Sequence, residues 1–139
     1  MTKADLEFLV ALNAREESFL HELLSDISAR KPQENPSMVI EEILAVIHEL
    51  YSLGVLGIGR RRFIDRADEE WAQKSLPIEL EDSAEWAWPD ENESKQRWYL
   101  YQGTHEVEGR GLLAVSDARA RELMFGASGP NNSPQDRRL

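Results

Sequence analysis

One stretch of the chain decides the fold, NPSMVIEEILAVIHELYSLG (residues 35–54). Asn35 is a favoured N-cap, and Pro36 at the first helical position loses nothing by lacking an N–H group. Gly54 can adopt the left-handed conformation that ends a helix. The stretch therefore predicts an amphipathic helix over residues 36–53 with one buried face. Its apolar residues, which fill roughly half of the helical circumference, are Val39, Ile40, Ile43, Leu44, Val46, Ile47, Leu50 and Tyr51.

Upstream of this helix, residues 5–30 carry apolar side chains mostly three or four positions apart. That spacing is typical of a helix with one buried side. A polar run at residues 13–18 interrupts the pattern, so either one long helix frays in its middle or two helices meet near Asn13. We favour one long helix, which the proline-containing residues 31–36 end.

Downstream of Gly54, residues 55–64 predict a short strand weakened by its glycines. Asp65 is placed to cap a short helix over residues 66–74 that turns Trp71 inward. The segment from 79 to 93 is predicted to be mostly loop, because it is flanked or interrupted by prolines and is strongly acidic.

The side chains of residues 97–102 alternate between two faces, which predicts a strand. Trp98 and Leu100 are expected on the face toward the core, and Tyr99 and Tyr101 on the other. A turn at residues 103–109 and a second strand at residues 111–116 complete a predicted hairpin. Asp117 is then placed to cap a last helix that ends at Gly126.

The chain of 139 residues has the length of one domain. Residues 1–126 are predicted to form it, and residues 127–139 are predicted to be a disordered tail because they are rich in Gly, Pro, Asn and Ser and have too little apolar content to fold. The predicted fold class is α+β, with a helical N-terminal half and a small antiparallel sheet.

The charge balance limits the classes of binding partner, since the formal net charge is −10 and the sequence pI is about 4.8. Such a chain repels nucleic acid and anionic membrane surfaces and favours a basic partner. The acidic N-terminus is unlike a secretory signal, and no apolar run approaches the ~18 residues that span a membrane. We therefore expect a cytoplasmic protein.

Three histidine–glutamate pairs, at His21, His48 and His105, raise the question of a metal site. A zincin needs a second histidine four positions after the first, and Ser25 and Ser52 stand there instead. A site built jointly from His21 and His48 stays open, without support from the spacing.

Other catalytic and cofactor motifs are missing from the sequence. The glycines at residues 54–59 follow a helix, whereas a dinucleotide site needs a strand before its glycines and a helix after them. The chain has no cysteine and no serine in a nucleophile elbow. We therefore predict a non-enzymatic protein without a cofactor.

A resemblance to winged-helix domains covers about residues 36–116. It rests on the helix ending ELYSLGVL (residues 49–56), a connecting segment, the strand RWYLY (residues 97–101) and the hairpin. The resemblance implies a regulator that contacts nucleic acid, and the basic residues available for phosphates are Arg60, Arg61, Arg62, Arg97 and Arg110. In that family the helix before the wing enters the major groove, and here its exposed face carries carboxylates that phosphates repel.

The leading hypothesis concerns residues 79–93, which contain seven acidic residues and no basic one. Tryptophans supply binding energy at interfaces, and carboxylates around them steer basic partners. In an extended chain Trp86 and Trp88 point the same way and would present a flat aromatic face. We therefore expect an interaction module that binds a basic protein, similar in charge and size to immunity proteins, antitoxins and inhibitors; a homodimer through the helical arcs stays open. The predicted partner-binding residues are Glu79, Glu81, Asp82, Glu85, Trp86, Trp88 and Asp90.

Overall fold

A computed structural model describes residues 1–71, 75–105 and 114–126. Its α-helices are α1 (Lys3–Arg15), α2 (Leu20–Ala29), α3 (Pro36–Ser52) and α4 (Asp117–Phe125). Its strands are β1 (Leu56–Arg62), β2 (Glu70–Trp71) and β3 (Gln96–Gln102). Two 3₁₀ helices, Ile78–Glu81 and Ser83–Trp86, lie between β2 and β3. The predicted α+β class is confirmed.

Helix α3 begins and ends as its sequence predicts. The side chain of Asn35 accepts a hydrogen bond from the backbone N–H of Ser37 at 2.8 Å. Gly54 has a φ of 76°, so the left-handed residue after the helix is a glycine. Ile43 and Ile47 are completely buried, and the face that the sequence marks as apolar is the face that packs on the core.

The N-terminal helical region is two helices, so the preferred prediction of one long helix is wrong. Helix α1 ends at Arg15, and Glu17 has a φ of 58°, a conformation that no helix continues. The reason is a long-range contact, because the carbonyl of Ser18 accepts a hydrogen bond from the N–H of Leu100 at 2.9 Å. Phe19 forms an isolated bridge with Tyr99. The polar run thus turns the chain so that its end lies along β3.

The sheet has the order β2-β1-β3, and both pairs are antiparallel. Ile58 of β1 lies opposite Leu100 of β3, and both are completely buried at the centre of the sheet. Trp98 joins the same hydrophobic core, as predicted, while Tyr99 is buried on the opposite face of β3.

The short helix predicted over residues 66–74 is wrong over its described part. Arg66 and Asp68 have left-handed φ angles of 59°, which interrupt a helix, and Asp65 instead accepts the N–H of Ala67 in a turn. The chain then enters β2, where Trp71 pairs with Gly59. Trp71 is 59% exposed rather than turned inward, because β2 is the edge strand.

Several predictions fall wholly or largely on residues that the structure does not describe. These are Arg110, the tail at residues 127–139, and most of the second hairpin strand. Residues 114–116 are described and are not strand; Ser116, rather than Asp117, caps α4 by accepting the N–H of Arg119. The winged-helix resemblance depends on that hairpin and therefore stays a prediction, as does the single domain over residues 1–126.

The turn after β3 gives a test of this packing. A Cβ atom added at Gly103 would lie 2.1 Å from the carbonyl oxygen of Gly54, a backbone atom held by the end of α3. We expect Gly103→Ala to lower the free energy of unfolding by about 1–3 kcal/mol through overpacking, measured by urea denaturation. Gln102→Ala, at an exposed position beside it, is the control. Equal stability of the two variants would contradict the close approach.

Candidate protein-interaction surface

The acidic segment, residues 79–93, forms the two 3₁₀ helices and the loop that leads to β3. Glu79, Glu81, Asp82 and Asp90 are exposed, and none of them forms an ion pair with another described residue. Asp82 has a structural role as well, since its side chain caps the second 3₁₀ helix through the N–H of Ala84. The segment thus presents carboxylates to solvent, as the leading hypothesis requires.

Two of the predicted partner-binding residues lie inside the fold. Trp86 is 2% exposed, and its indole N–H donates to the carbonyl of Leu80 at 2.7 Å. Glu85 is also buried, and its carboxylate accepts a hydrogen bond from Lys95 at 2.8 Å. A partner would reach neither side chain without local unfolding, so both support the segment instead of presenting a surface.

The predicted aromatic face of Trp86 and Trp88 is wrong. Trp86 ends a 3₁₀ helix, so the two residues do not share an extended backbone, and one side chain is buried while the other is exposed. Trp88 is 62% exposed and lies with its ring centroid 4.5 Å from that of His21. Of the two tryptophans, Trp88 is the one available to a partner.

The acidic segment is anchored by Arg97, which is 6% exposed. One terminal nitrogen of its guanidinium donates to the carbonyls of Ala84 and Ala87 at 3.2 and 3.0 Å. Its Nε and other terminal nitrogen donate to the carboxylate of Glu93 at 2.6 and 2.9 Å. This pairing raises the pKa of Arg97 and lowers the pKa of Glu93, so both groups stay charged. Arg97 is one of the predicted phosphate contacts; in the structure its guanidinium is occupied by Glu93 and by backbone carbonyls.

The other predicted phosphate contacts are also occupied by carboxylates wherever the structure describes them. Arg60 pairs with Glu70 at 2.8 Å, and Arg62 pairs with Asp65. Arg61 is buried over the ring of Tyr99, with its guanidinium carbon 3.8 Å from the ring centroid. Its ion-pair partners are Glu17 at 3.2 Å and Glu69 at 3.0 Å.

Around Arg61 the phenol of Tyr99 donates to Glu69 and accepts from the indole N–H of Trp71 at 2.9 Å. Burial, followed by the hydrogen bond to Glu69, raises the pKa of Tyr99 to about 12. The phenol is therefore a donor throughout the neutral range. A phosphate would have to displace carboxylates from this network, which disfavours the nucleic-acid alternative.

A groove lies between α3 and the acidic segment, with a volume of about 440 Å³. Ile40 and Leu44 form its apolar floor, and Glu41 and Glu81 are the acidic residues that flank it. Neither carboxylate is ion-paired to a described residue. Sequence reasoning missed this groove, because its two walls are separated by some forty positions in the chain. The remaining lining residues are Ser37, His48 and Ser83.

The two histidines considered for a metal site lie in different environments. His21 is buried, with its ring centroid 4.9 Å from that of Phe63, and burial lowers its pKa. Its Nε2 has no hydrogen-bond partner in the described part of the chain. His48 is exposed at the groove. Within residues 1–71, 75–105 and 114–126, no cluster of three or more potential ligand side chains could hold a metal ion.

Comparisons with protein-family models, with curated proteins and with solved structures gave no match. Among the helices of the described residues, none is long and apolar enough to cross a membrane.

Replacing the anchor should release the acidic segment. Removing one partner of a buried charged pair costs about 3–5 kcal/mol, so we expect Arg97→Gln to destabilise the protein by roughly that amount. Hydrogen exchange should rise first at residues 83–93. Arg60→Gln removes an exposed pair worth about 0–1 kcal/mol and is the matched control. Unchanged exchange at residues 83–93 in Arg97→Gln would contradict the anchoring role.

The buried His21 should make stability depend on pH. Its pKa is lowered in the folded state, so the unfolded state binds the proton more readily, and the free energy of unfolding should fall as the pH drops below about 6.5. Two nearby carboxylates, Glu22 and Glu93, raise the pKa of His21 and so oppose the effect of burial. The guanidinium of Arg97 lowers this pKa further.

Urea denaturation of the wild type and of His21→Phe between neutral pH and the onset of carboxylate titration measures this dependence. The variant should show a flatter profile, and His48→Gln, changed at an exposed position, should follow the wild type. Identical slopes for all three proteins would show that His21 does not titrate differently on unfolding.

Proposed function

We propose that this protein is a non-enzymatic interaction module that binds a basic partner protein through the acidic segment. One observation carries the proposal. The arginines at residues 60, 61, 62 and 97 are occupied by carboxylates, whereas Glu79, Glu81 and Asp90 have no cationic partner in the described chain. Among the exposed carboxylates of the described residues that form no ion pair, five (at residues 79, 81, 82, 90 and 91) lie on this segment, while Glu16, Glu41 and Asp117 lie elsewhere.

The physical effect of such a segment is chiefly on association. Exposed carboxylates attract a basic surface over about a Debye length, which is roughly 8 Å at physiological salt. Complementary charge raises the association rate and sets the orientation of the encounter. The buried anchors Arg97 and Trp86 hold the segment in place, so the carboxylates are presented with little loss of conformational entropy on binding.

The chemical class of partner follows from the charge. A protein whose own ligand is nucleic acid has a basic surface of the kind that an acidic module occupies. Inhibitors, antitoxins and immunity proteins act in this way, and the present chain matches them in size and in its net charge of −10. Binding would then compete with nucleic acid for the same surface of the partner.

Charge reversal tests the proposal. We expect Glu79→Lys combined with Asp90→Lys to slow association with the basic partner by about tenfold or more and to weaken its salt dependence. Both side chains are exposed, so the fold should be retained. Partners are retrieved from the source cells on immobilised wild-type protein, identified by mass spectrometry, and their association rates are measured at several salt concentrations.

The control combines Glu16→Lys with Asp117→Lys, which changes the net charge equally at two exposed positions outside the acidic segment. It should bind the same proteins at nearly the wild-type rate. Equal rates for the reversed variant and the wild type would overturn the proposal. Retardation of a random DNA duplex by micromolar wild-type protein at low salt would instead favour the winged-helix regulator.

A further inference from the structure

The groove between α3 and the acidic segment has a shape and a charge pattern that specify an occupant. We propose that it binds one amphipathic helix of the basic partner, with the apolar side of that helix on Ile40 and Leu44. This inference rests on the proposed function and deepens it, because it names the structural element of the partner that the acidic surface holds.

The length of the groove suits a helix. Its α3 wall runs from Ser37 to His48, and at a rise of 1.5 Å per residue this distance is about 16 Å, or roughly three helical turns. The lining residues of α3 lie within a stripe of about 100° on the helix surface. A second helix could therefore lie along α3 and contact the same stripe over its whole length.

The walls of the groove specify the side chains of that helix. Ile40 and Leu44 are only partly buried, although both pack against the core, so their outer surfaces are open to an apolar side chain. Glu41 on one wall and Glu81 on the other flank this floor. Leucine or isoleucine at three- and four-residue spacing, with lysine or arginine on both sides, matches this arrangement in the way that helices bind grooves of other proteins.

A second copy of the chain is a poorer occupant. A symmetric dimer through this groove would bring the acidic walls of two copies, each with Glu41 and Glu81, to the same interface. The copies each carry a net charge of −10, so their approach is opposed by repulsion. A basic helix would place cations beside Glu41 and Glu81, whereas a second copy would place further carboxylates there.

The test uses a synthetic peptide of leucine and lysine in which leucine recurs at helical spacing. A scrambled peptide of identical composition is the control. Binding of each peptide is followed by titration of isotope-labelled protein, recording backbone chemical shifts. We expect the helical peptide to shift Ile40, Glu41 and Leu44 and to bind at least about tenfold more tightly than the scrambled one.

Two variants with equal charge change locate the binding. Glu41→Lys with Glu81→Lys should weaken binding of the helical peptide by about tenfold or more, whereas Glu16→Lys with Asp117→Lys, outside both the groove lining and the acidic segment, should weaken it much less. All four positions are exposed, so neither variant is expected to unfold the protein.

The outcomes separate this inference from the proposed function. Equal affinity for both peptides, with shifts spread over the acidic segment, would leave the acidic module in place and overturn the groove. Two results together would overturn both the groove inference and the proposed function. These are the absence of binding by either peptide and equal partner association rates for the charge-reversed protein and the wild type. Concentration-dependent shifts of Ile40 and Leu44 without peptide would show that a second copy occupies the groove, which also overturns the inference.

Discussion

The arrangement of the candidate surface depends on the buried guanidinium of Arg97. It holds the carbonyls of Ala84 and Ala87 on one side and the carboxylate of Glu93 on the other, and so fixes both ends of a loop that is otherwise rich in like charges. Carboxylates packed along one short segment repel one another, and an unanchored segment would relieve that repulsion by extending. With the anchor in place, Trp86 stays in the core and the remaining carboxylates stay on the surface.

The same accounting of charge shows how the arginines at residues 60–62 are occupied within the described part of the fold. Arg61 is stacked on Tyr99 and shared by Glu17 and Glu69, and Arg60 and Arg62 each have an acidic neighbour in the turn or strand beside them. Of this run of three arginines, Arg61 thus becomes part of the buried scaffold, while Arg60 and Arg62 pair with carboxylates at the surface. Net charge alone would not have revealed this, because it does not tell which charges neutralise each other.

The parts of the fold that could be predicted from sequence are those governed by local rules. Helix α3 has its N-cap, its proline, its apolar stripe and its terminal glycine within twenty positions, and the strands β1 and β3 carry their own patterns. The polar run at residues 13–18 allows either one helix or two, and the division into α1 and α2 depends on a hydrogen bond from Leu100 to Ser18, eighty-two positions apart, which no local pattern encodes. Likewise, the acidic composition of residues 79–93 predicted an exposed segment, but the 3₁₀ helix that separates Trp86 from Trp88 and the wall that Glu81 forms against α3 are properties of the folded chain.

That hydrogen bond between Leu100 and Ser18 also has a consequence for the edge of the sheet. An exposed sheet edge offers unpaired N–H and C=O groups to any other extended chain and is a common route to aggregation. Residues 18 and 19 cover part of the outer edge of β3, and β2 lies at the opposite edge of the described sheet. The break between α1 and α2 therefore closes part of one sheet edge to foreign strands, in addition to shaping the N-terminal half of the fold.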